Sequence, residues 1–209
     1  MELILASASP RRADLMRMCG YEFTVIPGSA DESAVSASAP SELVEKLALL
    51  KAESVLRTLS TERRRNAVAV GADTVVVLDG HIIGKPRFPK EAEEMLRAER
   101  GRVNTVHTGL AIVRTEWKDG REELVSSVVS DSASVHFLPL SDAEISAYVA
   151  TGEPMDKAGA YGIQGISSMF IDRINGSYFT VVGLPVHLLY RELRRFGILP
   201  GCLSPVSIG

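Results

Sequence analysis

The run Ala-Val-Ala-Val-Gly-Ala-Asp-Thr-Val-Val-Val-Leu at residues 67–78 constrains this chain more than any other stretch. Small and β-branched apolar residues make it the strongest strand signal in the sequence, and Asp79-Gly80 behind it marks a turn. The run reads as a buried strand, yet it carries Asp73. A carboxylate withdrawn from water costs several kcal/mol unless it is paired or binds a cation. Two accounts fit such an acid: a bend residue hydrogen-bonded to nearby backbone N–H groups, or a metal ligand or general base at the mouth of a sheet.

The surrounding pattern alternates strands with helices. Residues 2–6 read as a short buried strand, followed by Ser7-Ala8-Ser9-Pro10-Arg11-Arg12 and a helix closed by Gly20. Ser9 suits the N-cap, Pro10 the first helical position and Gly20 the C′ position. Strand, loop and helix start in that order present backbone N–H groups to an anion, and two arginines stand beside them. A second strand is expected over 21–26, and a polar loop with Asp31 and Glu32 follows.

Residues 41–59 carry a helical pattern in which Val44, Ala48, Lys51 and Val55 form one stripe. Lys51 interrupts that stripe where an aliphatic residue is the ordinary choice. Further helices are expected over 90–100, 141–150 and 184–196, the second with a Ser141–Glu144 capping box. Long strands are expected over 103–115 and 123–137, joined at Lys118-Asp119-Gly120, and another over 169–174. The pattern predicts an α/β fold with a mixed, partly antiparallel central sheet flanked by helices. Residues 1–198 are expected to form the domain and 199–209 a flexible tail.

Composition narrows the function classes. With 209 residues, 45% apolar and 23% charged, the chain has the profile of a globular protein. A formal net charge of −3 offers no basic surplus for a stable nucleic-acid partner. No apolar run approaches the roughly 20 residues of a membrane-spanning helix, and the Met-Glu-Leu-Ile-Leu-Ala start does not suit a signal peptide. Cys19 and Cys202 are too few for a zinc module or disulfide framework, and Cys19 is expected as a small core residue. A cytoplasmic protein is expected.

Arg11, Arg12, Lys51 and Lys85 form the candidate basic set, each in a setting unlike an ordinary solvated charge; Lys85 lies between Gly84 and Pro86. A triphosphate requires several fixed positive charges, bidentate from arginine and point-like from lysine. Glu32 and Asp73 offer hard oxygen ligands for a divalent cation. The segment from Thr151 to Gly165 is rich in glycine and supplies Asp156, Lys157, Tyr161 and Gln164. It serves either as an ordered packing loop or as a ligand loop in which the Gln164 amide reads a base edge. There is no Walker lysine loop or dinucleotide-binding glycine pattern, and the four histidines are scattered without metal spacing.

In sequence order, Leu5-Ala6-Ser7-Ala8-Ser9-Pro10-Arg11-Arg12, Gly71-Ala72-Asp73-Thr74, Gly84-Lys85-Pro86, the Asp156–Gly165 string, Asn175-Gly176-Ser177-Tyr178 and Val182-Gly183-Leu184-Pro185 resemble the Maf family of nucleotide pyrophosphatases. The resemblance implies two lobes around a cleft, a fold related to the inosine-triphosphate pyrophosphatases, and a homodimer. It implies hydrolysis of a nucleoside triphosphate between the α and β phosphates, assisted by Mg²⁺ or Mn²⁺. Asp73 matches the family's proton acceptor. Glu32, Lys51 and Lys85 match its other catalytic or phosphate-contacting positions.

Ser7 and Arg11 fall in the substrate-binding motif. Arg12, Thr74 and Gln164 match the three positions that separate a dTTP/UTP subfamily from a 7-methyl-GTP subfamily, and this chain carries the former set. It departs from the family at Asn104, where members often carry histidine. Two other roles stay open at this stage: a nucleotide-binding regulator of division linked to septum inhibition, and a housecleaning enzyme for modified pyrimidine nucleotides.

Overall fold

The computed structural model describes residues 1–203. Among these residues, strands β1 (Glu2–Leu5), β2 (Thr24–Val25), β3 (Ala67–Leu78), β4 (His81–Ile83), β5 (Val103–Lys118), β6 (Arg121–Phe137) and β7 (Ile171–Asn175) are interspersed with seven α-helices. These are α1 (Pro10–Met18), α2 (Pro40–Thr58), α3 (Thr61–Arg65), α4 (Pro89–Glu99), α5 (Asp142–Ala150), α6 (Tyr178–Val182) and α7 (Val186–Arg195). The strands make one mixed sheet in the order β2-β1-β3-β5-β6-β7, with β4 paired to β3. β1 runs parallel to β2 and β3, whereas β3–β4 and β6–β7 are antiparallel. The expected α/β class with a partly antiparallel sheet is the one the chain adopts. None of the described helices is long and apolar enough to cross a membrane.

Local chemistry sets the element ends. Helices α1, α2 and α4 each start on a proline, whose fixed φ and missing N–H suit the first helical turn. The Ser141–Glu144 capping box forms in both directions at the start of α5. Asp79-Gly80 and Asp119-Gly120 have positive φ at both residues, the mirror-image turn that matches strand twist in a hairpin.

Ser9 occupies the N-cap position of α1 as expected, although its side chain makes no cap bond; its N–H donates to Ser7 Oγ at 3.3 Å. Two expectations need correction. The second strand shrinks to Thr24–Val25, because its partner β1 ends at Leu5. Cys19 is only half-buried, as it caps the C-terminal end of α1. The flexible-tail expectation falls partly on residues 204–209, which lie outside those described; within the described part, Gly201 N–H donates to Gly20 O at 3.0 Å.

The chain divides into two compact units, and their boundary crosses β3 between Asp73 and Thr74. The first comprises Met1–Asp73, Gly109–Ser130 and the described residues from Gly183 onward. Its core is small-residue-rich: Ile4, Ala6, Ala48, Ala52, Ala67, Ala69 and Ala111 with Val55 and Leu56. That composition lets α2 lie very close to the sheet. A Cβ added to Gly71 would fall 2.0 Å from Ala48 O, and one added to Gly109 would fall 2.2 Å from Val44 O. Helix backbone and strand backbone therefore touch at both glycines, and no side chain fits between them.

The second unit, Thr74–Thr108 with Asp131–Val182, has its own core around Leu96, Val135, Phe137, Ile145, Tyr148, Tyr161 and Phe170. Edge-to-face ring pairs join Phe137 to Tyr161 and Tyr148 to Phe170. Inside this core stands Glu99, 1% exposed. Asn104 Nδ2 donates to its Oε1 at 3.1 Å, and the Asn104 carbonyl accepts Tyr161 O–H at 3.0 Å. Glu99 Oε2 has no partner among the described residues. Burial pushes this carboxyl well above the usual carboxylate range, against the opposing pull of the Asn104 bond. Burial thus favours the neutral form of Glu99, next to a neutral amide.

Two measurements check this packing. Gly71→Ala is expected to cost more than about 3 kcal/mol in urea unfolding, because the clash is with backbone that has no rotamer to yield. A loss below about 1 kcal/mol would show that α2 can lift away. For Glu99, the native state keeps a proton that the unfolded chain releases near pH 4.3, so stability falls as pH rises from about that value toward the raised native pKa. Over that interval the wild type should lose stability relative to Glu99→Gln by up to about 1.4 kcal/mol per pH unit. Parallel stability curves for the two proteins would contradict a raised Glu99 pKa.

Candidate functional site

In the first unit the polar residues gather where β1, β3 and α2 meet. Pairing between β1 and β3 runs from Glu2↔Ala67 to Leu5↔Val70, and Ala6 N–H extends it to Val70 O at 2.8 Å. The chain then leaves the sheet at Ser7, which is 7% exposed. Arg12, on the first turn of α1, folds back over this bend: Nη1 donates to Ser7 Oγ at 3.1 Å and Nε to Gly183 O at 2.8 Å. Two bonds on one guanidinium fix its plane. Burial pulls the Arg12 pKa down and Asp73 pulls it back up, with a further pull down from Arg11 and up from Glu32. The guanidinium remains charged throughout the physiological range.

The position of Asp73 follows from the glycine contact. Gly71 and Asp73 are two residues apart on β3, so both face the same side of the sheet. Ala48 and Lys51 are three apart on α2 and share a helix face. With Gly71 pressed against Ala48, the Lys51 ammonium arrives 2.5 Å from Asp73 Oδ1. Glu32 Oε1 reaches the same ammonium at 3.2 Å. The Asp73 and Lys51 side chains are only 14% and 17% exposed, whereas Glu32 is 48% exposed. Lys51 breaks the apolar stripe of α2 because its partner is a carboxylate inside a strand. Removing either member would leave a largely desolvated charge without its partner.

The remaining predicted residues belong to the second unit. Thr74 Oγ1 lies 2.9 Å from Thr108 Oγ1, and Thr108 Oγ1 donates to Thr180 O at 2.8 Å. A hydroxyl has one hydrogen, and the Thr180 carbonyl takes that of Thr108, so Thr108 accepts from Thr74. Thr180 in turn donates its hydroxyl to Asp131 Oδ2 at 2.5 Å. Thr108 and Thr180 are fully buried, and neither was singled out from sequence. A threonine inside a strand or beside a short helix carries no signal beyond ordinary propensity.

Lys85 is exposed, on a loop tied to the glycine-rich segment by Gly159 N–H donating to Gly84 O at 3.0 Å. Gln164 is exposed on that same segment. The structure therefore joins Glu32, Lys51 and Asp73 directly and sets Ser7 and Arg12 in the same unit. It places Thr74, Lys85 and Gln164 in the other.

Glu32 and Asp73 are the residues here that could hold a divalent cation. Among the described residues no cluster of three or more His, Cys, Asp or Glu side chains forms. Glu32 and Asp73 nevertheless already hold one positive charge together, the Lys51 ammonium. One or two carboxylates, completed by water and phosphate oxygens, is the usual shell of Mg²⁺ at a phosphate site.

A family model described as Maf-like protein matches residues 2–196. Proteins named dTTP/UTP pyrophosphatase are similar over nearly the whole chain. One from Symbiobacterium thermophilum is 50% identical over 196 residues, 94% of each chain. One from Dictyoglomus thermophilum is 44% identical, covering 94% of this chain and 96% of its own length. A third, from Bacillus mycoides, is 42% identical, covering 93% and 95%. With the strand-bound Asp73, the Lys51 partner and the Ser7–Arg12 bend all carried by that matched stretch, the chain belongs to the Maf family.

Proposed function

We propose that this protein is a nucleoside triphosphate pyrophosphatase that hydrolyses dTTP and UTP to the nucleoside monophosphate and pyrophosphate. The observation that carries the proposal is the gathering of Asp73 and Glu32 on the Lys51 ammonium, in a chain whose relatives are named dTTP/UTP pyrophosphatase. Water attacks the α-phosphorus in line, the bond from that phosphorus to the α,β-bridging oxygen breaks, and the proton of the water passes to Asp73. Lys51 holds Asp73 through Oδ1, which leaves Oδ2 outside that bond to receive the proton. Arg11, Lys51 and Lys85 offset the charge that builds on the departing pyrophosphate, and Ser7 and Arg12 complete the anion-binding bend. Glu32 and Asp73 would hold Mg²⁺ or Mn²⁺, which polarises the phosphate and lowers the pKa of bound water.

Base choice rests on hydrogen-bond polarity. Uracil and thymine offer an N3–H donor and an O4 acceptor. The Gln164 amide supplies a donor for the latter. Cytosine carries an amino group where uracil carries O4, so a donor placed for O4 is left unpaired when cytosine enters. Arg12 and Thr74 are the other two specificity positions. The proposal extends to a homodimer working in the cytoplasm that also clears modified pyrimidine nucleotides.

Two experiments test it. Asp73→Asn is expected to lower kcat for UTP, counted per folded molecule, by about 10²–10³-fold, a magnitude ordinary for loss of a general base. Full activity in that variant would remove Asp73 from the chemistry. Assayed for both products across a nucleotide panel, the wild type should release pyrophosphate and monophosphate from dTTP and UTP. Chelation should stop this release, and Mg²⁺ or Mn²⁺ should restore it. Binding without turnover would favour instead a regulator of division linked to septum inhibition.

A further inference from the structure

The segment that carries Gln164 is closed by a carboxylate that no part of the proposed chemistry uses. Glu153 Oε2 accepts the Ile166 N–H at 3.0 Å, and Oε1 accepts the Ser167 N–H at 3.3 Å and Tyr148 O–H at 3.3 Å. Two successive backbone N–H groups aimed at one carboxylate fix the orientation of both peptides. Burial pulls the Glu153 carboxyl up, but these donors outweigh it and hold it below the usual range.

The loop is also shut at its neck. Ser167, fully buried, donates its hydroxyl to Gly162 O at 2.7 Å and accepts Gly162 N–H at 2.9 Å. Gln164 therefore stands in a six-residue loop, 162–167, whose two ends are bonded to each other and whose second half is bonded to Glu153.

Close packing supports the same clasp. Gly165 has φ 90° and ψ −157°, a conformation open to glycine alone, and an added Cβ would lie 2.9 Å from both Glu153 carboxylate oxygens. On the other side, an added Cβ at Gly162 would lie 2.9 Å from Lys157 Cδ. Lys157 Nζ donates to Glu153 O and to Asp156 Oδ1, both at 2.6 Å. The backbone on each side of Gln164 is thus confined, while Gln164 itself stays exposed.

We propose that Glu153 is a positioning residue for base selection: by clasping the 162–167 loop, it aims the Gln164 amide so that its donor rather than its acceptor meets the base. The proposal rests on the assignment of Gln164 to base recognition. An amide presents a donor and an acceptor on one small group, and it distinguishes O4 of uracil from N4 of cytosine only when its plane is held. A loose loop would let the amide turn over and satisfy either base.

The test compares kcat/KM for UTP and CTP in the full chain with Glu153→Gln, Ser167→Ala, Gln164→Ala and the Glu153→Gln/Gln164→Ala double variant. Glu153→Gln keeps the shape but sets an NH₂ against a backbone N–H, and Ser167→Ala opens the neck. Each is expected to lower the UTP/CTP ratio about tenfold, on the scale of one misdirected hydrogen bond. The double variant should match Gln164→Ala alone, because both changes act through one amide.

A merely structural role would lower both substrates equally and leave the ratio at the wild-type value. That result in Glu153→Gln, or in Ser167→Ala if Glu153→Gln does not fold, would overturn the proposal provided Gln164→Ala loses discrimination. A double variant that loses a further tenfold beyond Gln164→Ala would also overturn it. If Gln164→Ala itself keeps the wild-type ratio, the assignment of Gln164 fails and this proposal fails with it.

Discussion

Contact between the backbone of α2 and the backbone of β3 at Gly71 governs the placement of the charged residues in the first unit. Helices ordinarily stand off a sheet by the thickness of their side chains. Here the small residues Ala48, Ala52, Ala69 and Ala111 and the glycines 71 and 109 reduce that layer to almost nothing. A lysine one turn along the helix then reaches a carboxylate two residues along the strand with no intervening water. Had either glycine carried a side chain, the helix would lie farther out and the ammonium would no longer reach Asp73. The ion pair and the packing of the core are therefore one design, since the first is a geometric consequence of the second.

The second unit is organised by a different device. Its polar groups are held by chains of hydrogen bonds with a defined direction: Thr74 to Thr108 to the Thr180 carbonyl, and Ile166 and Ser167 to Glu153. Direction matters because a base is recognised by which atoms donate and which accept. The first unit thus fixes charges, and the second fixes the polarity of neutral groups. Glu99 belongs to the second style, as a buried acid whose neutral form burial favours and whose Oε1 accepts from Asn104.

Much of this was legible in the residues because it is local. Turn pairs such as Asp79-Gly80, the proline that opens α1 and the Ser141–Glu144 box act within a few residues, and each appears where the pattern places it. Lys51 and Asp73 also stood out, each as a charge in an apolar pattern. Ser9 stands at the N-cap as its type suggests, without a cap bond from its side chain. Cys19 misled because burial at a helix end depends on what packs there, which periodicity does not describe. Thr108, Thr180 and Glu153 gave no warning, because threonine in a strand and glutamate in a loop are what any sequence offers at such places.

By itself, then, the sequence determined the order and type of the elements, the turns between them and the residues whose chemistry is out of place, all through interactions spanning a few positions. Only the tertiary structure decided who their partners are. It joined Lys51 to Asp73 across 22 positions, Thr74 to Thr108 across 34 and Glu153 to Ile166 across 13. Such pairings depend on how closely a helix settles on a sheet and where a loop closes. Those distances are set by the sum of many packed side chains, and no single residue or local motif encodes that sum.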